Sequence, residues 1–224
     1  MKKNILIIVI VTVVVAVVAI GTIPSAAGNS LLYSAGQYLK QALSKNEISL
    51  NGSEILATYS GTPITATVVE YHKKMNILKT DDAVAEHDTD IEIINSIVRN
   101  MILFDEATRL GLIASNEEID AMVNNTRNVY NHPDGKKMMD EYLQGAGLTL
   151  DEYLDNIREQ APRVIARQKL LDAYGKQYCQ QNGLEFSKVN PPKEMVEAQD
   201  AYIQALFDAN SSKIEYFIDI PVVE

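Results

Sequence analysis

Tryptophan is absent from this 224-residue chain, cysteine occurs once and histidine three times. The single thiol, Cys179, cannot close an internal disulfide, so the fold must be held by its apolar core. It reads as a packing residue on a helix, since no partner cysteine exists for redox chemistry. His72, His87 and His132 are scattered, so no zinc-type ligand set forms and no metal is expected. Glycine-rich phosphate loops and nucleophile elbows are missing too, which leaves no catalytic residue and no cofactor to assign. Positive charge is the last scarcity. Twenty Lys+Arg face thirty Asp+Glu, giving a formal net charge of −10. Phosphate binding needs a basic surface, so the composition argues against nucleic acid and against docking on anionic headgroups. The acidic stretch Asp81, Asp82, Glu86, His87, Asp88 and Asp90 lacks the glycine and oxygen spacing of a calcium loop. It reads as a solvated loop ending in a helix cap.

What is present begins with an uncharged, Val- and Ile-rich run from Ile5 to Ile23, preceded by Lys2 and Lys3. As a helix it would span roughly 28 Å, close to the hydrocarbon thickness of a bilayer. Two readings stay open: a retained signal-anchor, or a secretory signal cut after Ala27. The length of the run favours the anchor. Either way the lysines stay inside and residues 28–224 are exported, as a single-pass membrane protein or a secreted one. Residues 28–53 then read as a membrane-proximal helix, with apolar positions at Leu31, Leu32, Ala35, Tyr38, Leu39 and Leu43, followed by a polar linker.

The remainder, residues 54–224, reads as one mostly α domain with a short strand near each end. Ile55–Tyr59 is a strand candidate stopped by Ser60-Gly61-Thr62-Pro63, and Thr65 caps a helix running to about Lys79. An N-cap at Asp88 or Thr89 opens a strongly apolar helix with Ile94, Ile97, Val98, Met101, Ile102 and Leu110 inward, stopped by Gly111. Ser115 and Glu118 form a capping box, and Asn131–Gly135 breaks the helix it starts. A short helix from Lys136 to Gln144 ends at Gly145-Ala146-Gly147. Thr149 and Glu152 then open a long helix that Pro162 should kink or restart, closed by Asn182-Gly183. Pro191-Pro192 opens the last helix, and β-favouring residues are dense at 213–219. Each strand is alone in its neighbourhood, so 55–59 and 214–218 should pair in a two-stranded ladder.

Methionine is pliable and suits surfaces that accept many apolar sequences. The two long helices should supply the core, leaving the helices at 116–131 and 136–144 at an edge between breakers. Met122, Val123, Tyr130, Met138, Met139 and Tyr142 lie on these edge helices and are the candidate client-binding residues, ordinary core packing being the alternative for each of them.

The order of elements resembles a known family. ILATYSGTPIT (55–65) is similar to the opening strand and turn of the SurA N-terminal domain, with Ser60 where Asn is usual. IINSIVRNMILFDEATRLGLIASNEEIDAMV (93–123) resembles its long helix and the capped helix after it. Gly147-Leu148-Thr149-Leu150-Asp151-Glu152-Tyr153 is similar to its Gly-Leu-Thr-x-Glu-Glu-Tyr element, and Lys213–Phe217 resembles the last strand of the PrsA and SurA foldases. In those foldases a parvulin-type prolyl isomerase domain, roughly a hundred residues and thus an ordinary domain size, precedes the returning helix. Here only Gln181 to Pro191 occupies that place. The resemblance therefore implies a SurA- or trigger-factor-like helical chaperone lobe without its catalytic part. The expected function is non-catalytic, extracytoplasmic binding of unfolded or newly exported polypeptides beside the membrane. An envelope adapter with one specific protein partner, or an isomerase with an unplaced active site, is the alternative.

Overall fold

The computed structural model of the protein describes residues 32–37, 39–40, 54–79 and 89–218. The apolar run at 5–23, the cleavage position at 27 and most of the acidic stretch at 81–90 lie outside the described residues. Among the described residues no helix is long and apolar enough to cross a membrane.

Strand β1 (Ile55–Tyr59) is the centre of a three-stranded antiparallel sheet, with β2 (Thr62–Thr65) and β3 (Ile214–Tyr216) at its edges. The long-range pairing expected from the lone strands is present: Ala57 faces Tyr216, Thr58 faces Glu215 and Tyr59 faces Ile214. The Ser60 N–H donates to the Lys213 carbonyl (2.9 Å) and the Phe217 N–H to the Leu56 carbonyl (2.8 Å), extending this ladder at both ends. The expectation of two strands falls one short, because Thr62–Thr65 forms β2 and not merely a turn and a cap. The turn itself is only Ser60 and Gly61, both left-handed (φ 49° and 77°), so Thr62 already lies opposite Tyr59. Two residues at positive φ make the tight hairpin whose twist matches its strands. Pro63 is tolerated since β2 is an edge. Ser60 pays a small steric penalty in that conformation, which asparagine tolerates better. Ser60→Asn is expected to raise stability by roughly half a kcal/mol, read as a higher denaturant midpoint at unchanged slope.

Helix α1 (Ala66–Lys79) follows β2 directly. α2 (Asp90–Arg109) begins at Thr89, whose hydroxyl accepts from the Glu92 N–H while the Glu92 carboxylate accepts from the Thr89 N–H. α3 (Asn116–Asn131) and α5 (Leu150–Asn182) start on the same reciprocal cap, at Ser115/Glu118 and Thr149/Glu152. Removing the Thr149 hydroxyl (Thr149→Ala) should cost about 1 kcal/mol, measured by chemical denaturation. α4 (Pro133–Ala146) is longer than expected at both ends: the break shrinks to His132, with Pro133 taking the first helical turn where its missing N–H costs nothing. α5 stays helical through Pro162, so no restart occurs, and Gly183 at φ 66° closes it. Residues 183–192 lead straight into α6 (Lys193–Ala209), and a 3-10 turn (Ser211–Lys213) delivers the chain to β3.

Two apolar groups join these elements around the sheet. Leu56, Ala57, Tyr59, Ile64 and Val69 pack on the Ile93, Ile94, Ile97, Val98 and Ile102 stripe of α2, with Ile214, Tyr216 and Ile218 closing the side. Farther along α2, Leu103 and Ala107 meet Ala166 and Leu170 of α5, flanked by Tyr202, Ile203 and Leu206 of α6. Leu110, expected inward, is the residue after the helix and stands exposed. The Tyr174 and Tyr202 rings stack at 4.3 Å, tying α5 to α6.

The caps also set a pH response. Glu92 and Glu152 lie below the usual 4.5 through the backbone N–H of their cap residues, and Glu118 chiefly through Lys169 and then Ser115. Depressed carboxylate values mean that the stabilisation is complete above 4.5 and lost as the pH falls through the lower native values. The melting temperature should be flat from pH 8 to 6 and fall below about pH 4.5, as followed by circular dichroism.

Candidate functional site

A third apolar group takes in five of the six sequence-predicted binding residues, Met138 lying outside it. Its buried members are Ala35, Leu39, Tyr71, Val123, Met139, Tyr142, Leu143, Ala146, Tyr153, Leu154 and Ile157, drawn from five helical segments. The expectation that α3 and α4 sit at an edge of a core built by the long helices is thus corrected. They carry a core of their own, because α3 runs along α5, with Arg127 reaching Asp151 (3.4 Å) and Arg158 reaching Asp120 (2.5 Å), and α4 folds back on α3.

The six candidate residues divide into two sets. Val123, Met139 and Tyr142 are buried, Tyr142 at only 2% exposure. Met122 and Tyr130 are partly buried against the same group, and Met138 is partly exposed outside it. Tyr130 is fixed at the α3–α4 corner: its hydroxyl donates to Asp140 (2.8 Å) and accepts from Lys136 (3.0 Å), whose ammonium also lies over the ring. Lys136, then Tyr130, hold the Asp140 carboxyl below its ordinary value, and Asp140 raises the Lys136 ammonium. Met122, Tyr130 and Met138 are thus half-buried at the margin, and Val123, Met139 and Tyr142 are covered.

The cover is the helical segment at residues 32–37 and 39–40, for which the sequence predicts a helix without indicating its seat. Leu32, Ala35, Gly36 and Leu39 are buried, whereas Tyr33, Gln37 and Lys40 are exposed. Gly36 crosses α4 at Gly145 in backbone contact. A Cβ on Gly36 would stand 2.1 Å from the Tyr142 carbonyl oxygen, and one on Gly145 would stand 2.1 Å from the Tyr33 carbonyl oxygen. Both glycines were legible as letters, but Gly145 reads as a helix stop until its partner is known.

Under this segment lie three tyrosines. The Tyr142 and Tyr153 rings meet edge to face at 5.8 Å, and burial pushes the hydroxyls of Tyr71, Tyr142 and Tyr153 well above their ordinary range. The Tyr71 and Tyr142 hydroxyls lie close enough to interact as a mutual hydrogen-bonding pair, though short of ideal geometry. Gln160, one turn beyond Ile157 on α5, is buried with its Nε2 unpartnered among the described residues. No group of three or more His, Cys, Asp or Glu side chains is placed to hold a metal among the described residues.

The lobe has a sheet closed by strands from its two ends and a further helix-lined apolar group, which residues 32–37 and 39–40 cover. The chain matches the SurA-like N-terminal domain over residues 1–171, most of its length, and belongs to that family. No curated protein and no solved structure matches it. The family match ends within α5. The helix and strand that follow complete the sheet through β3.

Proposed function

We propose that this protein is a membrane-tethered, extracytoplasmic chaperone that shields apolar segments of unfolded or newly exported polypeptides without any covalent step. The observation that carries this reading is its membership of the SurA-like family, whose N-terminal domain points to a chaperone-like role, joined to the direct passage from α5 to α6. Only residues 183–192 connect those helices. In the foldases that the sequence resembles, the isomerase domain occupies that position. The half-buried margin at Met122, Tyr130 and Met138 supplies pliable and amphipathic contacts for clients, and Val123, Met139 and Tyr142 form the floor behind it. The excess of acidic groups keeps such an apolar-displaying protein soluble. The run at 5–23 is proposed as the tether that holds the lobe outside the membrane, with Lys2 and Lys3 inside.

Light scattering tests the proposal. The full-length chain should suppress aggregation of several unrelated, chemically unfolded proteins at near-stoichiometric ratios, and should not accelerate prolyl isomerisation in a peptide assay. Protection of one protein alone would favour the adapter reading, and accelerated isomerisation would favour an enzyme.

A further inference from the structure

We infer that the seat on α4 takes its clients as short amphipathic helices with a small residue at the crossing point, and that the segment at 32–37 and 39–40 is its intramolecular occupant. This rests on the chaperone reading above and names the conformation of the client.

The resident segment displays the recognition pattern. Its inward residues Leu32, Ala35 and Leu39 follow three-and-four spacing along one helical face, the arrangement by which a groove reads an amphipathic helix. Between them Gly36 brings the two backbones together, and the reciprocal approach at Gly145 leaves no room for a side chain on either helix. A helix with a bulky residue at that position could not seat. The opposite face, with Tyr33, Gln37 and Lys40, makes no comparable demand.

The floor has the features of an exchangeable seat. Met139 provides a flexible lining, and among the described residues the buried Tyr71 and Tyr142 hydroxyls interact only with each other, at less than ideal geometry, and with no group of the resident segment. A core built for one permanent occupant normally satisfies such groups. Because the resident segment belongs to the same chain, its effective concentration at the seat is on the order of millimolar. Modest intrinsic affinity therefore suffices to keep the seat filled until a client competes.

The test uses the full-length chain and a fluorescent synthetic peptide of residues 30–45, followed by anisotropy. Two variants open the seat from the segment side, Gly36→Leu by wedging and Leu39→Ser by weakening the contact. Both are checked for retained helicity and cooperative unfolding. Each should bind the peptide at least tenfold more tightly than the unmodified chain, the Gly36→Leu peptide should not bind, and an unfolded client should displace the labelled peptide. Folded variants that bind no better than the unmodified chain would overturn the inference, as would equal binding of the two peptides. Suppressed aggregation without displacement of the peptide would also overturn it while leaving the chaperone reading intact. Absence of aggregation suppression would remove both.

Discussion

Removal of residues 212–224 is expected to lower the melting temperature of the whole lobe by roughly 10 °C, with one cooperative transition and no mere fraying of an end. The deletion takes away β3 and with it the register Ala57–Tyr216, Thr58–Glu215 and Tyr59–Ile214. It leaves one edge of β1 unpaired and removes the flanking bonds to Ser60 and Leu56. It also strips Ile214, Tyr216 and Ile218 from the side of the α2 core, and the 2.6 Å hydrogen bond that the Tyr216 hydroxyl donates to Asn95. Loss of several partly buried side chains and ladder bonds amounts to about 4 kcal/mol, and 1 kcal/mol moves a domain of this size by about 2–4 °C. Ellipticity at 222 nm against temperature reads the effect. Coincident melting curves for the truncated and intact chains would show that β3 contributes nothing to the lobe.

The second large effect separates the floor of the seat from its rim. Tyr142→Ala should destabilise the lobe by about 3–5 kcal/mol and Met139→Ala by about 2–5 kcal/mol, since each removes a buried side chain and leaves a cavity. Tyr142 also loses its edge-to-face contact with Tyr153. Met138→Ala, on the partly exposed neighbour, should cost about 1 kcal/mol or less. Urea denaturation of the three variants gives the comparison, and equal midpoints for all three would contradict the burial described. The consequence for function is practical. A binding test that replaces Met139 or Tyr142 confounds client affinity with folding, so the rim residues Met122, Tyr130 and Met138 are the ones to vary.

Much of the fold could be read in the sequence because its signals are local or leave only one solution. Two capping boxes, Ser115/Glu118 and Thr149/Glu152, announce helix starts, whereas at the third start the sequence left the cap between Asp88 and Thr89 and the structure adds Glu92. The β1–β3 pairing was reached by treating both strands as alone, and it holds although β1 also has a nearer partner in β2. β2 was not legible, because Thr62-Pro63-Ile64-Thr65 carries both turn and cap chemistry. Only the left-handed pair Ser60-Gly61 turns it into a strand. The candidate site was half legible. The letters of Met138, Met139 and Tyr142 show pliable and aromatic residues on a short helix, but not which of them face inward. That depends on the helices packed around them, among them residues 32–37 and 39–40, some hundred positions away, which meet α4 at a glycine–glycine crossing. Gly36 inside an amphipathic run was the available clue, since a helix interior seldom accepts glycine without a close neighbour.

The central claim is that the lobe holds unfolded polypeptide, and the most direct measurement is equilibrium binding of the full-length chain to a panel of unrelated proteins. Each is presented once in a permanently unfolded form and once folded. Fluorescence anisotropy should show micromolar binding to the unfolded form of most members, little binding to the folded forms, and weaker binding when Met122, Tyr130 and Met138 are replaced by serine. Tight binding to a single folded partner, with no affinity for unfolded chains, would contradict the account.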